Sequence, residues 1–368
     1  MTIQSLAGVT IFLVCSLTST RAETLAHSKV LDIGPKPNCS TVVGVLHTLA
    51  QTVGKTESEA KLQGVLGHAF SFEMERGGGD VWQEENLDYL GLFLQMIPKL
   101  GYKFKQFEAT QRGAPDGFQE LKTDAWRAVR ESIDKGIPVI AWQPMSREQK
   151  AAGLRAGAWG LLVGYNEIEG TYTVRHQYHK KGQESYKVRY DAIGHSDPRE
   201  WFHVLVFNGY NPVDPMDTHI TALQNAVAFA NGTRWDSTKT KHQADALGFA
   251  AFELWRMAIV SGEARPKHSL NHARELVNWR KHAALYLREI AKLLPQGQTS
   301  LNKAATHYER LVETASKLQN LCDEVSRSTG FSQDTRNKAS SYVTALLQAE
   351  ENAITAIKAA INSQSSTR

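Results

Sequence analysis

Of the three cysteines in this chain, Cys15, Cys39 and Cys322, only Cys39 stands where a thiol could do chemistry. It follows the stiff polar segment Gly34-Pro35-Lys36-Pro37-Asn38 and opens the run Ser40-Thr41-Val42-Val43-Gly44-Val45-Leu46, which reads as a helix from Cys39 to about Val53. A thiol at a helix N-terminus faces free backbone N–H groups and the positive end of the helix dipole. Both favour the thiolate, the form that attacks a carbonyl carbon. The position suits equally a small side chain buried at a helix start, and both readings stay open on position alone. Cys322 lies on the apolar stripe Ala305, Tyr308, Val312, Ala315, Leu318, Cys322, Val325 and reads as a core thiol.

A nucleophilic cysteine needs a base, and the chain has 13 histidines. His176 and His179 are three apart on a strand-like segment, so they alternate faces and at most one reaches a shared site. His203, inside the apolar run Trp201–Phe207, reads as a buried ring with its hydrogen bonds satisfied. His47 sits two turns into the helix, too far along to bond Cys39 directly. His268 and His272 are four apart on a helix with no matching third ligand, so no metal site and no cofactor is expected. Gly77-Gly78-Gly79 is followed by no Lys-Ser/Thr pair and is read as a loop, not a phosphate cradle.

The elements that must hold these residues change character near residue 215. Before it, short β-branched and aromatic runs bounded by Gly, Pro, Asn or Asp read as strands: Pro138–Trp142, Trp159–Tyr165, Tyr172–Val174, Tyr186–Tyr190 and Trp201–Phe207. Asn166-Glu167-Ile168-Glu169-Gly170 reads as a hairpin connection. Helices are expected over Cys39–Val53, about Leu87–Leu100, and Asp124–Lys135, the last stopped by Gly136. Helices followed by an antiparallel set of strands make an α+β domain over 28–212. From 215 to 363 apolar residues recur at i, i+3, i+4, as in Leu247, Ala250, Ala251, Leu254, Trp255 and Ala258, which predicts an all-α helical bundle. The charges Glu309, Arg310, Glu313, Lys317, Glu350, Glu351 and Lys358 read as its solvated face.

Several of these segments together resemble one family. Gly34–Leu46, Gly67-His68-Ala69-Phe70-Ser71-Phe72, Gly136–Ile140, Gly157–Asn166 and Tyr172–Arg175 are similar to the papain-like N-terminal domain of the butirosin biosynthesis protein H family, related to the bacteriocin-processing peptidase-like group. Gly248–Trp255 and Trp279–Leu287 resemble the helical domain that often follows it. The resemblance implies a papain-like (cysteine-peptidase-like) fold and a Cys-His-Asp/Asn arrangement in which a thiolate attacks an acyl group and passes it to an amine or water. Cys39 matches the nucleophile. The family's histidine falls on Ala158, which cannot accept a proton, and its Asp or Asn falls on His176. Three readings follow: a non-catalytic pseudoenzyme or binding module; a rearranged site in which His176, His203, His68 or another histidine serves Cys39; or a strand register displaced by a residue or more. Cys39 and His176 are the candidate catalytic pair for an amidase, peptidase or acyltransferase.

Composition narrows the partners. The 368 residues carry 42 basic and 38 acidic side chains, a formal charge of +4 with no basic stripe, which argues against nucleic acid and leaves a small-molecule or peptide substrate. The apolar run Leu6–Leu17 is shorter than the ~20 residues a spanning helix needs. It fits a signal peptide over 1–22, with small Thr20 and Ala22 before Glu23, although Met1–Ser5 carries no Lys or Arg. An exported protein, periplasmic or extracellular, with no integral membrane span after processing, is the expectation.

Overall fold

A computed structural model describes residues 27–38, 40–79, 92–111, 113, 115–178, 185–196, 200–233 and 244–365. The expected signal segment 1–22, Cys39 and His179 lie outside the described residues.

Alternation along the strands builds the front of the molecule. Among the described residues seven strands form one antiparallel sheet: β1 (Ser28–Val30), β3 (Tyr102–Thr110), β4 (Val139–Trp142), β5 (Trp159–Asn166), β6 (Thr171–Arg175), β7 (Tyr186–Arg189) and β8 (Trp201–Tyr210). Their order is β3-β8-β4-β5-β6-β7, with β1 paired to the far half of β5 beyond β4. Side chains of successive residues leave opposite faces. Ile140, Trp142, Trp159, Leu161, Trp201 and Leu205 therefore meet helix α1 (Thr41–Thr52) in one apolar core. Val139, Ala141, Leu162, Val174, Phe202 and Val204 meet Ala125, Trp126, Val129 and Ile133 in a second core on the other face. The β5–β6 connection is the expected hairpin, with Asn166 Oδ1 accepting from Glu169 N at 3.0 Å and Gly170 at φ 60°.

Helices differ from expectation at their ends. Helix α2 (Glu59–Val65) was not anticipated, and of the expected Leu87–Leu100 helix the described part is α3 (Leu92–Met96) followed by a 3-10 turn. Helix α4 runs Phe118–Asp134, not from Asp124, because an extra turn and a half buries Phe118 and Lys122 against the sheet. Gly136, at φ 80°, stops it as expected. Short α5 (Arg147–Ala151) follows β4 with a capping box between Ser146 and Gln149.

The C-terminal region is helical: α6 (Pro215–Ala230), α7 (Phe249–Ser261), α8 (Pro266–Ala291), α9 (Gln298–Glu324) and α10 (Gln333–Ser365). Its core is continuous with the one that covers α1. Phe70 sits 6.2 Å from Tyr286 and 6.0 Å from Tyr308, ring to ring. The two-residue strands β2 (Glu73–Met74) and β9 (Ala246–Leu247) pair across the two regions. Gly64 on α2 is a glycine because an added Cβ would fall 2.3 Å from the Tyr286 ring.

One expected surface residue is instead internal. Glu350 is buried: its Oε2 accepts from Arg280 Nε at 2.7 Å and its Oε1 from the Tyr308 hydroxyl at 3.2 Å. Arg280, 1% exposed, also donates to the Ala69 and Ser71 carbonyls at 2.9 Å each. This guanidinium joins α8 and α10 to the turn before β2. Cys322 is fully buried on α9, and burial pushes its thiol up to about 12, so it is the core thiol the stripe predicts. No described helix is long and apolar enough to cross a membrane.

Removing one partner of a buried ion pair leaves the other charge uncompensated, at a cost of about 3–5 kcal/mol. Glu350→Ala is therefore expected to lower the unfolding free energy by about that much in urea titration, while Glu351→Ala, one residue on and exposed, changes it by less than about 0.5 kcal/mol.

Candidate functional site

The approach to α1 is fixed by Asn38, the residue immediately before Cys39. Its side-chain Oδ1 accepts from Ser40 N at 3.0 Å and from Gln63 Nε2 at 2.7 Å, and its Nδ2 donates to Glu59 Oε1 at 2.7 Å. Glu59 and Gln63 are four apart on α2 and so share one face. The backbone of Asn38 is held as well. Its N–H donates to Gln177 Oε1 at 3.2 Å and its carbonyl accepts from Gln177 Nε2 at 2.8 Å. One side-chain amide thus takes both backbone groups of one residue, as a neighbouring β-strand would.

Gln177 follows His176, so this clasp joins the residue after the candidate base to the residue before the candidate nucleophile. His176 is the first residue past β6 and is 3% exposed. Its Cδ2 lies against Gly160: a Cβ there would come within 2.9 Å of Cδ2 and 3.0 Å of Pro144 Cγ, so the missing side chain of Gly160 makes room for the ring. Tyr178 N donates to His176 Nδ1 at 3.3 Å. A neutral imidazole that accepts at Nδ1 carries its proton on Nε2.

The other two histidines weighed for Cys39 also gather at the start of α1, with different chemistry. His68 Nε2 is 3.3 Å from the Ser40 hydroxyl, and both side chains are fully buried. His203 lies between Trp159, at 5.3 Å, and Trp201, at 4.9 Å. Trp159 N in turn donates to Thr41 Oγ1 at 3.2 Å, which seats the first turn of α1 on the start of β5. His203 is buried as expected, but neither ring nitrogen has a hydrogen-bond partner among the described residues, so the ring is not satisfied. Burial pushes it down to about 3. A ring that weak takes no proton from a thiol near neutral pH. His47, part-way along α1, bonds Gln51 instead.

A second polar cluster, without any sequence motif, lies where β4 ends and β8 begins. Lys122 is fully buried and donates to Asp191 O at 2.6 Å; its Nζ lies 2.9 Å from His195 Nε2. Burial draws this ammonium down to about 8, against the opposing pull of Asp191 and Glu200. Arg147 pairs with Glu200 beside a cavity of about 340 Å³ lined by Gln111, Arg147, Glu148, Ala192, His195 and Glu200. Glu200 (φ 54°) and Gln143 (φ 37°) are the non-glycine residues with positive φ among the described residues, and Ser196 bridges toward Gln143 through bonds of 3.3 Å to its carbonyl and side-chain oxygens. No group of three or more His, Cys, Asp or Glu side chains arranged for a metal ion occurs among the described residues.

His203 has a consequence for stability. Its folded-state value of about 3 lies below the ordinary 6.5, so between those values the unfolded chain binds the proton that the folded chain refuses. Its contribution is complete above pH 6.5 and is lost as pH falls toward 3, by up to about 1.4 kcal/mol per pH unit. Denaturant unfolding at pH 6.5 and pH 4 is expected to show a smaller acid loss in His203→Phe than in the unaltered protein; parallel slopes would contradict the assignment.

Compared with known proteins, the sequence matches no family model and no curated protein.

Proposed function

We propose that this chain is an exported papain-like-fold protein that catalyses acyl transfer through Cys39, with His176 as the imidazole partner. The observation that carries the reading is the Gln177 clasp on Asn38, which ties the residue after His176 to the residue before Cys39. Supporting it are a helix of 12 residues that begins two residues after Cys39 and the hydrogen bond that seats this helix on the sheet. The resemblance of Gly34–Leu46 and Gly157–Asn166 to the butirosin biosynthesis protein H family supports the papain-like fold. The apolar run Leu6–Leu17 supports export.

The chemistry follows from the proton on Nε2. The helix N-terminus and an Nε2–H donor both stabilise a thiolate. The thiolate attacks the carbonyl carbon, a sulfur–carbon bond forms, and the bond to the leaving group breaks with its electron pair. Water or an amine then attacks the S-acyl enzyme, loses a proton to solvent, and returns the thiolate. His176 in this tautomer has no spare proton for a leaving amine, because its Nδ1 is occupied by the Tyr178 N–H. Donors whose leaving group departs as an anion, thioesters and activated esters, are therefore favoured over amides.

One observation favours a second reading. Ala158 stands at the histidine position of the resembled family, and His203, at about 3, does not replace it. On that reading the fold is kept as a non-catalytic binding module.

An alkylation and acylation experiment separates them. With a small alkylator at neutral pH, followed by intact mass, Cys39 should be labelled far faster than Cys322, and an aryl thioester should leave one acyl group on Cys39. His176→Ala should slow acylation by about a hundredfold, at the low end for a positioned imidazole, while an anilide gives no acyl adduct. Equal sluggishness of Cys39 and Cys322 identifies the binding module.

A further inference from the structure

We infer that His282, on the long helix α8, is a positioning residue for this site, acting on Glu59 through a proton on its Nε2, and through Glu59 on Asn38. Its consequence for Cys39 rests on the acyl-transfer reading; its geometry does not.

His282 Nδ1 is 2.9 Å from the Asn278 carbonyl, and Nε2 is 3.0 Å from Glu59 Oε1. A carbonyl and a carboxylate oxygen only accept. Both bonds therefore form together only when both ring nitrogens donate, which requires the imidazolium. The ring side chain is 12% exposed, so water does little to substitute for either partner. The same Glu59 Oε1 accepts from Asn38 Nδ2 at 2.7 Å. From Asn38 the chain of bonds divides, through Oδ1 to Ser40 N and through the backbone to Gln177. Three side chains in series thus run from the C-terminal helices to the residues on either side of Cys39 and to the neighbour of His176.

Removal of the N–H on Nε2 breaks this series at a defined point. Without a donor facing it from α8, the Glu59 carboxylate loses the support that holds it at the acceptor position used by Asn38 Nδ2.

Other charges around the ring are already committed. On α2 the Lys61–Glu57 pair closes at 2.7 Å, and on α8 Glu289 accepts from the Ser58 hydroxyl at 2.7 Å. On α1, burial lowers His47 while Glu59 raises it and Lys36 lowers it; on α6, burial lowers His219 to about 4, and its Nδ1 lies 3.0 Å from the Tyr286 hydroxyl. Glu59 is thus the carboxylate within bonding distance of the ring.

The test uses the full chain and two readouts. The first is the ratio of Cys39 alkylation rates between the unaltered protein and His282→Phe. It is expected to be about tenfold, the size of one lost charge-assisted hydrogen bond. His282→Gln keeps an N–H for Glu59, so it should restore the rate. The second readout is NMR: His282 Nε2 should report N–H, and the Asn38 side-chain amide signal should move in His282→Phe. A rate ratio of one, with Cys39 reactive, overturns the inference and leaves the acyl-transfer reading standing. A His282 Nε2 without a proton, or an unmoved Asn38 amide, overturns it too. If Cys39 is inert throughout, the acyl-transfer reading fails and the two NMR signals alone decide the positioning claim.

Discussion

The account depends on how a polar segment is held still beside an apolar sheet. Residues ahead of a helix have no repeating hydrogen-bond ladder, so any fixed position must come from side chains. Here Asn38 is that point: α2 holds its side chain through Glu59 and Gln63, and the end of β6 holds its backbone through Gln177. The two supports come from opposite directions, the helical side and the sheet side. A residue so fixed anchors the segment that leads into α1.

The C-terminal helices are therefore more than a cover. Arg280 reaches from α8 to the carbonyls of Ala69 and Ser71, and Glu350 on α10 keeps that guanidinium paired inside the core. Tyr286, in the last part of α8, occupies the space that Gly64 leaves open on α2. These contacts set the height of α2 against α8, and α2 is the element that presents Glu59 and Gln63 to Asn38. A front α+β layer and a helical back layer that share one apolar core also share the positioning of the site.

Much of this was legible in the sequence, and the losses have physical causes. Strands β4, β5 and β8 were readable because they are buried on both faces and rich in Val, Leu, Ile and aromatic residues. Tyr102–Thr110 gives no clean strand signal: this edge strand sends Phe104 and Phe107 to opposite cores, exposes Lys103, Lys105 and Gln106, and its pairing with β8 is long-range. Helix α2 is seven residues with a glycine at its sixth position, too short for a periodic signal. Glu350 carried no mark of burial, since its partner Arg280 is seventy residues away in sequence. Near the site, the spacing of Cys39 before a helix is visible in the sequence, but the separate surroundings of His68, His176 and His203 are not. Asn38, Gln177 and Glu59 were missed because amide-to-backbone bonds across 139 residues leave no local pattern; the Glu59/Gln63 spacing on one helix face was the one available sign.

The central claim is that the thiol of Cys39 and the imidazole of His176 titrate as a coupled pair. NMR titration of the His176 ring in the unaltered protein and in Cys39→Ala measures this directly, because groups that share a site shift one another's protonation. The account predicts that removing the thiol displaces the His176 titration curve. Superimposable curves would place the two side chains in separate surroundings and contradict it.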